Sequence, residues 1–144
     1  MRNISAIVIH CSATPEGKMF TAKDIDAWHR GQGWNGIGYH FVIRLDGMVE
    51  TGRPVEVPGS HVKNHNFDTV GLVYVGGCDA AGRKAKDTRT QAQKAAMRKL
   101  VDELLARFPG AKVCGHRDLP GVAKDCPSFD VAKWQKESAA GVRS

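Results

Sequence analysis

At 144 residues, with 42% hydrophobic and 25% charged side chains, the chain has the length of one domain and the make-up of an ordinary globular protein with a real core. No apolar run approaches the roughly 20 residues that cross a bilayer, and the N-terminus lacks the apolar stretch of a secretory signal, so neither membrane insertion nor signal-directed export is expected. A net charge of +6 favours polyanionic partners, whether nucleic acid, acidic lipid or acidic wall polymer, without choosing among them.

Residues 4–10 read as a first strand, apolar on both faces and therefore central. A loop over 11–20 carries Pro15 and Gly17. Thr21 is a good N-cap for a helix over 22–32, with Ile25 and Trp28 on one face and His29 turned to solvent. Residues 39–45 form a second strand, Asp46-Gly47 a hairpin turn and 48–51 its partner. Residues 52–66, with Pro54, Pro58, His61 and His65, read as a long surface excursion of the functional or disordered kind. A buried strand follows over 69–75, then a polar, basic loop over 76–89. Thr90-Gln91-Ala92-Gln93 has the form of a capping box and opens the longest helix, to about Phe108. There Met97, Leu100, Val101, Leu104 and Phe108 make a core stripe. A short last strand over 112–115 leads to the loop 115–127, and Pro127-Ser128 opens a final helix to about Lys136. Residues from Ser138 read as a frayed tail. Interspersed strands and helices with one antiparallel hairpin give a single α/β domain, a central mixed β-sheet flanked by helices.

The chemistry gathers in the loop 115–127. It holds His116 and Cys126, with Lys124 two residues before the cysteine. Zinc accepts both imidazole nitrogen and thiolate sulfur, and His10, ending the first strand, is the best third ligand. Taken singly, His10 is more often a core or surface histidine and Cys126 a small buried apolar residue. Cys114 could share the face of His116 and is a rival ligand. Cys11 should point away from His10 and pack, and Cys78 has only a packing role. The four cysteines are expected to be reduced. Two His and one Cys leave a fourth position open, the stoichiometry of a catalytic zinc site. A cation at Lys124 could stabilise an oxyanion there. Arg83, Lys84, Lys86 and Arg89 read as a solvated loop. Without interleaved aromatics they do not predict nucleic-acid binding.

In order along the chain stand Val8-Ile9-His10-Cys11-Ser12-Ala13-Thr14, Trp28-His29, Gly38-Tyr39-His40-Phe41, Gly59-Ser60-His61, Val75-Gly76-Gly77 and Cys126-Pro127-Ser128-Phe129-Asp130. The set resembles the zinc-dependent N-acetylmuramoyl-L-alanine amidases of phage type, whose fold peptidoglycan recognition proteins share, and it spans residues 4–134. The resemblance implies a catalytic domain over 1–137 with a tail over 138–144. It implies one catalytic zinc on His10, His116 and Cys126, catalytic roles for Tyr39 and Lys124, and substrate-groove positions for His61 and Asn66. His40 should point away from the metal and could orient one of the groups around it. The implied activity is hydrolysis of the amide between the lactyl group of N-acetylmuramic acid and L-alanine of the peptidoglycan stem. The implied setting is a phage or prophage endolysin, monomeric, held in the host cytoplasm until its release to the wall lyses the cell. The loop from His116 to Cys126 is longer than in the phage prototype. Two other readings are a non-catalytic peptidoglycan-binding module, which the presence of Cys126 disfavours, and a regulator of phage RNA polymerase, for which no motif is present.

Overall fold

The unbroken apolar run Ile7-Val8-Ile9 forms the middle of a strand, Ala6–Cys11 (β1), and all three side chains are fully buried. A strand covered on both faces has this pattern, since neither face tolerates a polar alternate. The structure is a computed structural model that describes residues 3–120, 122 and 124–139. After β1 come Thr14–Pro15 (β2), the helix Ala22–Gly31 (α1), Phe41–Ile43 (β3), Val49–Thr51 (β4), Thr69–Tyr74 (β5), Gly77–Cys78 (β6), the helix Gln91–Arg107 (α2), Lys112–Gly115 (β7), a 3-10 turn His116–Asp118 and the helix Val131–Ala139 (α3). The main sheet has the order β4-β3-β5-β1-β7, parallel throughout except for the β3–β4 hairpin. It is the mixed sheet the sequence implies.

Strand alternation divides the molecule. Ile7, Ile9 and Cys11 of β1, with Val70, Leu72 and Tyr74 of β5, pack against Met97, Leu100, Val101 and Leu104 of α2 and Val131 and Trp134 of α3. The opposite face carries a smaller cluster of Ile25, Ile37, Val42, Val73 and Val75, so His10 is directed there, with α1 and away from the main core. Both long helices are capped as expected. Thr21 and Thr90 each accept from the backbone of the third helical residue, and Asp24 and Gln93 return the bond. Gln93 is fully buried, and its Nε2 also donates to the carbonyls of Ile43 and Val75, which ties the start of α2 to the sheet.

The elements differ from the sequence reading at four places. The strand expected over 39–45 is confined to Phe41–Ile43. Tyr39 and His40 precede it outside the strand, although the His40 N–H still donates to Gly71 O at 2.8 Å. The loop 76–89 contains β6, which pairs in parallel with β2; two-residue strands carry no periodicity to read. In that loop Arg83, Lys84 and Lys86 are exposed, but the Arg89 guanidinium lies 3.5 Å over the Phe129 ring. The last helix starts later than Pro127, because Ser128 is taken up in a turn with its N–H on Asp125 O, and Asp130 accepts from Lys133 N–H in the manner of an N-cap. That helix continues to Ala139, so the expected boundary at 137 falls inside it. The rest of the expected tail, 140–144, lies outside the described residues.

The turn after Cys126 is pinned from below. The Tyr74 hydroxyl, in the buried core, donates to Pro127 O at 2.6 Å. Tyr74→Phe is expected to lower unfolding free energy by about 1–2 kcal/mol, as a buried carbonyl losing its partner does; urea denaturation measures it.

Candidate metal centre and catalytic groove

Two stretches distant in sequence, the end of β1 and the loop between β7 and α3, meet where the parallel strands end. His10 arrives near the end of β1, and His116 directly follows β7. The loop after it returns so that the Arg117 N–H donates to Cys126 O at 2.8 Å. Such a crevice beyond the carboxyl ends of parallel strands is where α/β sheets place their ligands. The Cys126 sulfur accepts from the Cys11 backbone N–H at 3.1 Å and lies 3.9 Å from His10 Nδ1. The rings of His10 and His116 are 4.5 Å apart. Among the described residues, His10, His116 and Cys126 form a group whose ligand atoms all lie within 4.8 Å of one another. Cys114, the rival, is outside it. Its thiol is pushed up to about 11 by burial and by Asp118.

The donor set fits zinc. Tetrahedral bonds of about 2.0 Å to nitrogen and 2.3 Å to sulfur put an N···S pair roughly 3.5 Å apart, and the observed 3.9 Å is a few tenths wider. Electrostatics point the same way. Burial, followed by His61, His116 and Lys124, holds His10 well below its ordinary pKa, and burial and then Lys124 lower that of His116. Both imidazoles therefore keep a lone pair at neutral pH. The hydrogen bond with the Cys11 sulfur and then burial push the Cys126 thiol up. A cation at this point would supply the countercharge the thiolate lacks.

His29 also titrates low, through burial and then Arg53. All three imidazoles thus bind a proton more weakly in the folded chain than at the ordinary 6.5. Below 6.5 the unfolded chain holds more protons, so stability rises with pH through that window. The metal-free protein is expected to keep this contribution above pH 6.5 and lose it as pH falls, read as a Tm that drops between about pH 7 and about pH 5.

Tyr39 is half-buried, its ring edge-on to His10 at 5.0 Å. Burial, then Cys126 and Cys11, push its phenol up, so it keeps its proton as a donor. Lys124 is exposed and acts by charge on both imidazoles. It lines a cavity of about 460 Å³ with His61, Lys63, His65 and His116. On the Tyr39 side a second cavity, about 220 Å³, is lined by Ser12, Trp28, His29 and Gln32.

His61 is buried, with Nδ1 2.9 Å from His10 Nε2 and Nε2 3.1 Å from Thr69 Oγ1. The Asn66 side-chain oxygen accepts from the backbone N–H of His61 and of Val62, both at 2.9 Å, and so braces the loop. His40 stays outside the ligand group, but its ring lies toward His61, 5.8 Å between centroids, and is not turned away as expected: Nδ1 accepts from Gly71 N–H and Nε2 donates to Val57 O. His29 is not exposed as its polar helix suggested. It is buried beside the Trp34 ring and accepts from Gly38 N–H at 2.9 Å, while Trp28 before it is exposed, edge-on to Phe20. Thr69 is the site residue that sequence reasoning missed, since a threonine opening a strand reads only as strand propensity.

The family described as N-acetylmuramoyl-L-alanine amidase matches residues 1–129. The chain is 43% identical over 134 residues to the endolysin of Klebsiella phage KP32, covering 93% of this chain and 87% of that protein. It is 41% identical over 133 residues to the endolysin of Escherichia phage T7, covering 92% and 86%. Among solved structures it superimposes on the N-acetylmuramoyl-L-alanine amidase LysC from Clostridium intestinale URNW with a TM-score of 0.79 at 27% identity, covering 99% of this chain and 88% of that one. On wild-type Drosophila PGRP-LB the TM-score is 0.76 at 26% identity, covering 100% and 85%.

Proposed function

The chain belongs to the N-acetylmuramoyl-L-alanine amidase family, and from that premise we propose that it is a phage endolysin, a zinc amidase that cuts peptidoglycan between the lactyl group of N-acetylmuramic acid and L-alanine of the stem. The observation that carries the metal-dependent part is the convergence of His10, His116 and Cys126. These three would hold one zinc, leaving a position open to the reaction. Bound there, zinc supplies a Lewis acid for the amide carbonyl and lowers the pKa of water at the open position.

The chain's own residues do the rest. Tyr39, kept protonated by burial, offers its O–H to the carbonyl oxygen as negative charge develops. Lys124 brings a positive charge to the same oxygen from the cavity side, and either group can pass a proton to the departing L-alanine amine. His61 lines the cavity that would receive substrate, and Asn66 keeps that wall in shape through its two backbone bonds. The +6 charge suits an acidic wall polymer. Among the described residues no helix is long and apolar enough to cross a membrane. We place the protein inside the producing host, as a monomer, until it is released to the wall.

The test is mass spectrometry of purified peptidoglycan digested with the protein, with and without a zinc chelator. Free stem peptides beginning with L-alanine are expected, abolished by the chelator and restored by zinc. Intact peptide-bearing glycan with tight sediment binding would instead identify a recognition module and overturn the amidase reading.

A further inference from the structure

His61 is buried against His10 yet takes no place in the ligand group. The direction of three successive hydrogen bonds says what it does. Thr69 Oγ1 lies 2.6 Å from the His65 carbonyl oxygen, which can only accept, so the threonine hydroxyl proton goes there. The Thr69 oxygen then faces His61 Nε2, at 3.1 Å, as an acceptor, and His61 carries its proton on Nε2. A neutral imidazole protonated on Nε2 has a lone pair on Nδ1. That lone pair lies 2.9 Å from His10 Nε2, which must be the donor. His10 is left with its lone pair on Nδ1, the nitrogen 3.9 Å from the Cys126 sulfur.

We propose that His61 and Thr69 are positioning residues, a one-way hydrogen-bond chain that fixes His10 in its Nε2–H tautomer and presents Nδ1 to the metal. The backbone is shaped for this chain. A Cβ on Gly71 would stand 2.5 Å from His61 Cγ, and one on Gly59 2.7 Å from its Cδ2. The imidazole therefore lies against bare backbone and has no room to turn. Asn66 fixes its main chain from the other side. Partners of this kind set the orientation and basicity of a metal-bound imidazole. The metal half of the inference rests on the zinc reading above; the tautomer half does not.

Histidine-ring nitrogen NMR of the wild-type protein tests the chain before and after zinc is added. Both His10 and His61 are expected as Nε2–H tautomers, already in the metal-free protein. Finding either as Nδ1–H overturns the proposal. Competition with a chromophoric chelator then reads zinc affinity in two near-isosteric variants. Thr69→Val, which keeps the shape and loses the acceptor, is expected to bind zinc roughly 10- to 100-fold more weakly, whereas Thr69→Ser retains wild-type affinity. Thr69→Val also loses the bond to the His65 carbonyl, so the same nitrogen NMR is read on it: weaker zinc binding with His10 still held as Nε2–H would trace the loss to the loop and sink the metal half, as would equal affinities for both variants. A protein with the expected tautomers that binds no zinc would support the chain and overturn the zinc reading instead.

Discussion

Cys126→Ser is expected to remove zinc and amidase activity together, with turnover reduced by roughly three orders of magnitude or more, about 4 kcal/mol in the barrier. Serine keeps the size of the side chain and can still accept from the Cys11 N–H that now meets the sulfur, so the fold should survive. What it loses is the ionisable, polarisable sulfur. A serine hydroxyl does not deprotonate near neutral pH as a metal-bound thiol does, and two imidazoles alone hold zinc poorly against a chelator. Elemental analysis of the purified variant, beside its circular dichroism and the digestion assay, separates loss of metal from loss of fold. The wild-type protein should gain thermal stability when zinc is added, because only the folded chain presents the three donors together, and the variant should not. A folded variant with full zinc content and ordinary turnover would remove Cys126 from the ligand set.

Lys124→Ala is expected to keep zinc and lose turnover by about 100- to 1,000-fold, the cost of removing one group that meets developing negative charge. Lys124 is exposed and its charge lowers the proton affinity of both His10 and His116, so its removal should leave metal binding intact or slightly altered. The effect should fall on kcat with little change in KM, as it does for an interaction made only in the transition state. Steady-state kinetics on a soluble muropeptide reads the split. A wild-type kcat would show that Lys124 takes no part in the reaction, and recovery of turnover on adding excess zinc would trace the effect to metal affinity.

Much of this architecture is legible in the amino-acid sequence. The apolar run of β1, the N-cap of α1, the capping box of α2 and the stripe of α2 each rest on a local rule that tertiary packing reinforces, so expectation and structure coincide. The ligand group can be named because His10 and Cys126 fall within ordered motifs and His116 stands in the Gly- and Pro-containing loop that leads to Cys126, although spacing alone leaves Cys114 open. What stays hidden is long-range. Nothing near Arg89 in sequence says that it will lie over Phe129. Nothing in α1 says that His29 will be covered by Trp34 and Gly38. The two-residue pairing of β2 with β6 is set by chain geometry, and Thr69 becomes part of the site only once β5 has brought it beneath His61.

The sheet order β5-β1-β7 has a consequence for how the protein is made. His10 is synthesised well before its sulfur neighbour Cys126, which lies 116 residues later. Closing so long a loop carries an entropic cost that local structure cannot offset, and the parallel strand beside it cannot dock until it exists. A chain still leaving the ribosome therefore holds His10 without the two side chains that later converge on it. The group of His10, His116 and Cys126 can close only after every strand of the main sheet has been made, and a cation held there would join β1 to the loop before α3.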